Sequence, residues 1–147
     1  MTARAGGRWT LRCDGGSRGN PGPGALGYVL TDPAGREVEA RGEYLGVCTN
    51  NVAEYRSLIA GLGAAARHAA QPLVVQMDSE LVVRQMLGEY KVKNAGLKPL
   101  HAEARAAMGR LGEVRFASVP REDNGHADAL VNEALDRALL GGSESPR

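Results

Sequence analysis

The sequence predicts an α/β fold, a five-stranded mixed sheet flanked by about four helices in the order βββαβααβα. Three observations carry this. The first third alternates apolar and polar residues with a period of two, between Gly- and Pro-rich turns. Later segments place apolar residues at helical spacing, and short apolar runs separate them. With 147 residues and 43% hydrophobic content, the chain has room for one domain with a real core and not for two.

Residues 8–14 open the chain as a strand, because Trp9, Leu11 and Cys13 alternate with polar neighbours. Residues 15–24 read as a Gly/Pro turn. Residues 25–31 and 37–45 read as two more strands, joined by the hairpin turn Asp32-Pro33-Ala34-Gly35. Residues 51–70 carry Tyr55, Leu58, Ile59, Leu62, Ala66 and Ala69 on one helical face, with Asn51 as N-cap three residues before Glu54. The run Leu73-Val74-Val75-Gln76-Met77 is a fourth strand ending at Asp78, and residues 79–88 form a helix. A polar connection at 90–96 leads to a helix over 97–111, which tolerates Pro99 in its first turn. Residues 113–119 alternate as the last strand and 125–140 form the last helix. A single domain over 1–140 is expected. The segment 141–147 has no apolar content to bury and is expected to be a disordered tail or a worn linker.

Composition narrows the function. A formal charge of +1 gives no bulk attraction to a polyanion, so any nucleic-acid contact must be local. One Trp, one Phe and four Tyr are too few for a single-strand stacking platform. Cys13 and Cys48 are far apart and His68, His101 and His126 are scattered, which argues against a structural zinc site and for buried free thiols. The start lacks a secretory apolar segment and no run has bilayer length, so a cytoplasmic protein is expected. A monomer is expected, with no obligate protein partner inferred.

Four carboxylates fall at element ends: Asp14 and Asp78 after strands, Glu54 and Asp128 in first helical turns. Each alone has an ordinary explanation as a turn residue, a cap or a helix-dipole partner. Together they say more. If the first and fourth strands are parallel neighbours, Asp14 and Asp78 lie side by side, and adjacent carboxylates repel unless a cation lies between them. Glu54 shares a face with Leu58 and Ala65 and so points over the sheet. Oxygen ligands without Cys or His favour Mg²⁺ or Mn²⁺, and phosphoryl transfer with two such ions is the natural chemistry.

The segment from Asp14-Gly15-Gly16-Ser17-Arg18-Gly19-Asn20 to Pro21-Gly22-Pro23-Gly24 resembles the opening motif of the type 1 ribonuclease H family. Thr49-Asn50-Asn51-Val52-Ala53-Glu54-Tyr55 resembles its second motif, Asp78-Ser79 its third, and Asn124-Gly125-His126-Ala127-Asp128 its fourth. The resemblance implies a ribonuclease H-like fold and an endonuclease that cuts the RNA strand of RNA–DNA hybrids, leaving 5′-phosphate and 3′-hydroxyl ends. It implies that Asp14, Glu54, Asp78 and Asp128 bind two Mg²⁺ ions, or Mn²⁺ in their place. Gly15, Gly16, Asn20, Thr49, Asn50 and Asn51 fall where the family grips the hybrid. Amides such as Asn20 and Asn50 can donate and accept, which suits minor-groove edges and the 2′-hydroxyl. Glycine at 15 and 16 permits close backbone approach. Thr49 is either a phosphate ligand or a plain strand-end residue.

The chain departs from the family in places. Some members use a mobile histidine near the fourth acid. His126 stands at a different offset, two residues before Asp128, so it is either a catalytic helper or a surface residue at a helix start. Residues 90–96 lack the Trp-rich basic protrusion, which leaves Lys91 and Lys93, with Lys98 and Arg84, as a smaller phosphate patch or a solvated loop. Nothing before Arg8 has the length of a separate hybrid-binding domain. Glu80 stands where some members carry an amide and would repel phosphate unless offset. A noncatalytic hybrid-binding module would be expected to have lost an acid, and a resolvase or integrase to lack the Gly-Asn-Pro-Gly turn. Gly22 to Gly27 matches a dinucleotide fingerprint as text, but it precedes a strand rather than a helix.

Overall fold

The computed structural model describes residues 7–141. Its elements follow the expected order: β1 (Trp9–Ser17), β2 (Gly22–Thr31), β3 (Glu37–Cys48), α1 (Asn50–Arg67), β4 (Leu73–Met77), α2 (Glu80–Met86), α3 (Lys98–Met108), β5 (Val114–Ser118) and α4 (Gly125–Gly141). A 3-10 turn at Arg121–Asn124 precedes α4. The five strands form one sheet in the order β3-β2-β1-β4-β5. β2 runs antiparallel to β1 and β3, while β4 runs parallel to β1 and β5, so the sheet is mixed as expected.

The Gly-rich run proves to be strand rather than turn. β1 continues to Ser17 and pairs Gly15 with Leu26 and Ser17 with Gly24, which leaves only residues 18–21 to turn the chain. Glycine has no side chain to alternate, so periodicity could not reveal this extension. α1 likewise starts at Asn50, capped by Thr49, whose hydroxyl accepts from the Val52 amide at 3.2 Å. Asn51 is therefore inside the helix, and the expected capping box with Glu54 does not form.

The two faces of the sheet are covered unequally. α1, α2 and α3 share the main core with Leu11, Tyr28, Leu30, Leu58, Leu73 and Val75. On the other face, α4 rests on a small cluster of Ala25, Val131, Ala134 and Leu135. It comes close because two strand positions have no side chain. A Cβ on Gly27 would lie 2.6 Å from the Ala127 carbonyl oxygen, and one on Gly42 would lie 2.5 Å from that of Leu130. Cys13 and Cys48 are both free thiols, but only Cys13 is fully buried. No helix among the described residues is long and apolar enough to cross a membrane. Of the expected tail over 141–147, Gly141 ends α4 and the rest lies outside the described residues.

Candidate functional site

Each of the four acids is delivered by a different element. β1 and β4 pair in parallel with Arg12 opposite Gln76, two residues before Asp14 and Asp78 respectively. Ser79 caps α2 by accepting from the Val82 amide at 3.3 Å, so Asp78 is not needed as the cap. Glu54 lies in the first turns of α1 and Asp128 in the first turn of α4. All four line one cavity of about 510 Å³, which Ser79, Asn50 and Arg121 help to close.

The cavity holds its carboxylates at an electrostatic cost. Burial raises the Asp14 pKa to about 8, and the charges of Asp78, Asp128 and Glu54 push in the same direction, as does a hydrogen bond with Asp128. Glu54 is raised to about 7, again chiefly by burial, with Asp78 adding to the rise while Ser79 and Arg121 oppose it. Among the described residues, no three His, Cys, Asp or Glu side chains stand in a group that could hold a metal ion. The donors fit a hard divalent cation nonetheless. The cavity offers carboxylate and hydroxyl oxygens, and its lining includes neither Cys nor His. Excess negative charge at Asp14 is a deficit that a bound cation cancels.

Arg121 and Asn132 in the cavity, and Asn124 beside it, were given no role from the sequence. Arg121, from the 3-10 turn, faces Asp78 with Nε 3.6 Å from Oδ2 and lowers the Glu54 pKa. Asn132, one turn after Asp128 on α4, donates through Nδ2 to Asp128 Oδ2 at 3.3 Å, and its own Oδ1 accepts from Arg18 at 3.3 Å. Arg18 also pairs with Asp136 at 2.9 Å, so the β1–β2 turn is tied to the helix that bears the fourth acid. Asn124 is fully buried and donates to the Cys13 carbonyl at 2.8 Å, which fixes the start of α4 beside β1. The Asn132 signal was readable, as a polar residue four positions after an acid on one helix. Arg121 gave none, because it depends on how the turn folds. His126 does not line the cavity; its Nδ1 faces Glu37 Oε1 at 3.6 Å.

The residues expected to grip a substrate are engaged by the fold to different degrees. Asn20 Oδ1 accepts from the Asn50 amide at 3.0 Å, and Asn50 Oδ1 accepts from Ser17 N at 2.8 Å and Ser17 Oγ at 3.1 Å. Their oxygens are thus used by the protein, and the amino groups are what each amide has left to offer. Asn51 lines the acid cavity and also a neighbouring groove that holds Lys91 and Lys93. Thr49 uses its hydroxyl oxygen as the α1 cap and keeps its proton to donate. Gly15 serves the fold, since a Cβ there would meet the Ala53 carbonyl oxygen at 2.2 Å; a Cβ on Gly16 would have only an ordinary contact with Asn50. Arg84 leaves the expected basic patch, because Glu80 binds it at 2.9 Å and Glu89 at 2.7 Å. That same pairing offsets the Glu80 charge.

A profile of the family described as reverse transcriptase-like matches residues 12–134. The chain is 45% identical over 129 residues to the "Bifunctional protein Rv2228c" of Mycobacterium tuberculosis, a match covering 87% of this chain and 35% of that protein. It thus spans about a third of the length of that mycobacterial relative. It is 42% identical to the "Ribonuclease HI" of Halobacterium salinarum, over 90% of this chain and 67% of that one. The solved structure of RNase H1 from that archaeon superposes with a TM-score of 0.86, over 90% of this chain and 100% of that one. LC11-RNase H1, solved in complex with an RNA/DNA hybrid, matches with a TM-score of 0.86 at 44% identity, over 90% of this chain and 99% of that one. With the sheet order, four acids from four elements in one cavity, and these likenesses in agreement, the chain belongs to the type 1 ribonuclease H family.

Proposed function

We propose that the chain is an endonuclease that hydrolyses the RNA strand of RNA–DNA hybrids, leaving 5′-phosphate and 3′-hydroxyl ends. The observation that carries this is the meeting of Asp14, Glu54, Asp78 and Asp128 in one cavity. A relative of similar fold is solved with an RNA/DNA hybrid, which supports the substrate class. Two Mg²⁺ ions, or Mn²⁺ as substitute, are the cofactors of this reading, and bound by the four carboxylates they supply an activated water and neutralise charge on the leaving oxygen.

The protein's own groups do the rest. The amino groups of Asn20 and Asn50, their oxygens already engaged, donate to acceptors in the minor groove and to the 2′-hydroxyl oxygen that marks RNA. Thr49 donates its hydroxyl proton to a backbone phosphate while capping α1, which links strand grip to the helix bearing Glu54. Arg121 lies beside Asp78 and holds positive charge at the rim of an acidic cavity, where phosphate oxygens must enter. Lys91 and Lys93 extend phosphate contact along the adjoining groove.

The test is cleavage of one RNA–DNA hybrid beside matched RNA duplex, DNA duplex and single-stranded RNA, with Mg²⁺, Mn²⁺ or chelator. Metal-dependent cutting confined to the hybrid is the expected result. Tight hybrid binding without cutting under any metal would make the chain a binding module and end this reading.

A further inference from the structure

The turn between β1 and β2 carries a single cation, Arg18. The backbone is pinned where this turn begins, with Arg18 N donating to the Pro23 carbonyl at 2.8 Å and Ser17 N to Asn50 Oδ1 at 2.8 Å. The guanidinium crosses to α4, where Nη2 donates to Asn132 Oδ1 at 3.3 Å and pairs with Asp136 Oδ1 at 2.9 Å. Asp128, Asn132 and Asp136 follow one another at intervals of four residues and so stand in a row along one side of the helix. Arg18 and Asn132 both line the acid cavity, whereas Asp136 lies outside its wall.

The two contacts of Arg18 differ in kind. The pair with Asp136 joins side chains that are 41% and 58% exposed, and an ion pair so open to water contributes little to stability. The contact with Asn132 has a direction. An amide presents oxygen at one end and an amino group at the other, and the two ends are nearly alike in shape. Asp128 offers acceptors, since Asn132 Nδ2 donates to its Oδ2 at 3.3 Å and to its main-chain oxygen at 3.1 Å. The guanidinium of Arg18 offers donors alone. Between a donor on one side and acceptors on the other, Asn132 has one satisfactory orientation. Each contact is long, but in a chain that runs from cation through amide to carboxylate each bond polarises the next. Without the guanidinium, Oδ1 has only water to hold it and the amide is freer to turn from Asp128.

We propose that Arg18 is a positioning residue of the acid cavity: through Asn132 it holds the Asp128 carboxylate in one orientation and so sets how tightly the cavity binds a divalent cation. Arg18 itself touches neither the cation nor the substrate in this role. A group that orients a metal ligand from behind typically governs affinity by about 10- to 100-fold. The inference rests on the reading of the cavity as a cation site, and it is independent of which nucleic acid is cut there.

The test is Mn²⁺ binding to the protein without nucleic acid, followed by electron paramagnetic resonance at one fixed pH, with circular dichroism to establish that each variant is folded. The proteins are wild type, Arg18→Met, Arg18→Ala as a second removal of the donors, Asn132→Leu, Asp136→Asn, and the double variant Arg18→Met/Asn132→Leu. Arg18→Met, Arg18→Ala and Asn132→Leu should each bind Mn²⁺ about tenfold more weakly than wild type. The double variant should bind no more weakly than Asn132→Leu alone, because Arg18 acts through that amide. Asp136→Asn, which keeps both Arg18 and Asn132, should stay within about twofold of wild type, as befits an exposed ion pair. A loss of about a hundredfold in the double variant would show independent effects and overturn the proposal. It also falls if Asp136→Asn loses as much affinity as Arg18→Met, since Arg18 would then be only a tie for the helix. Unchanged affinity in both Arg18 variants, or a wild type that binds no Mn²⁺, overturns it equally. If Mn²⁺ binds and the coupling holds yet no hybrid is cut, the hydrolytic reading falls and the role of Arg18 stands.

Discussion

Asp14 and Glu54, with pKa values near 8 and 7 in the folded chain, are caught between acid and anion around neutral pH. Both values lie above the ordinary 3.8 and 4.5, so the folded state binds these protons more tightly than the unfolded one. The stability they contribute is complete below about pH 4 and is lost as pH rises through 7 to 8. Metal-free protein should therefore show a melting temperature that falls over this interval, and Mg²⁺ should restore it. At pH 8 without metal, Asp14→Asn should be more stable than wild type by about 1–3 kcal/mol, because it removes an anion that the cavity resists. A denaturant titration at pH 8 and again at pH 5, where the gain should shrink, checks this. The same substitution, and Asp78→Asn, should reduce hybrid cleavage by about 10³-fold or more with the circular dichroism spectrum intact. Full activity in both would remove the metal-based mechanism. Asn132→Leu should have a milder effect, lowering kcat about tenfold, since Asp128 loses the hydrogen bond that holds one of its oxygens.

At the scale of elements, the closeness of α1 to β1 sets where Glu54 stands. Gly15→Ala would drive a methyl group into the Ala53 carbonyl, so it should cost about 3 kcal/mol and displace Glu54, giving losses of both stability and kcat. Thr49→Ala should cost about 1 kcal/mol through the missing cap, and Thr49→Ser should recover stability and hybrid affinity together. These elements explain what was legible beforehand. β4 has the predicted limits, Leu73–Met77, because an apolar run between Pro72 and Asp78 has sharp edges. The four acids stood out because each lies where one period of apolar residues gives way to another. The extension of β1 through Gly15 and Gly16 was invisible, since residues without side chains leave no period. The α1 cap lies two residues before the expected Asn51, because Thr49, Asn50 and Asn51 are all capable caps and only the backbone chooses among them.

At the scale of the whole molecule, three acids sit on the β1, β4 and α1 side of the assembly while Asp128 arrives from the opposite face. The sequence could not reveal this division, since Gly27 and Gly42 become a seat only when α4 lies across them. Asn124 stitches the two sides, and Asn124→Ala should cost about 1–3 kcal/mol and lower kcat more than it changes KM, as α4 shifts against β1. The small cluster under α4 gives that helix far less apolar anchorage than α1 has. Hydrogen exchange should find α4 amides opening at lower free energy than those of α1 and β1. The cavity of the four acids is then the first thing that heat takes apart. On warming, a form that keeps the sheet and α1 yet has released α4 would still hold Asp14, Glu54 and Asp78 together. The proposed hybrid cleavage would fade several degrees before the main unfolding transition and return on cooling, so the protein would carry a thermal fuse in the helix that completes its cavity.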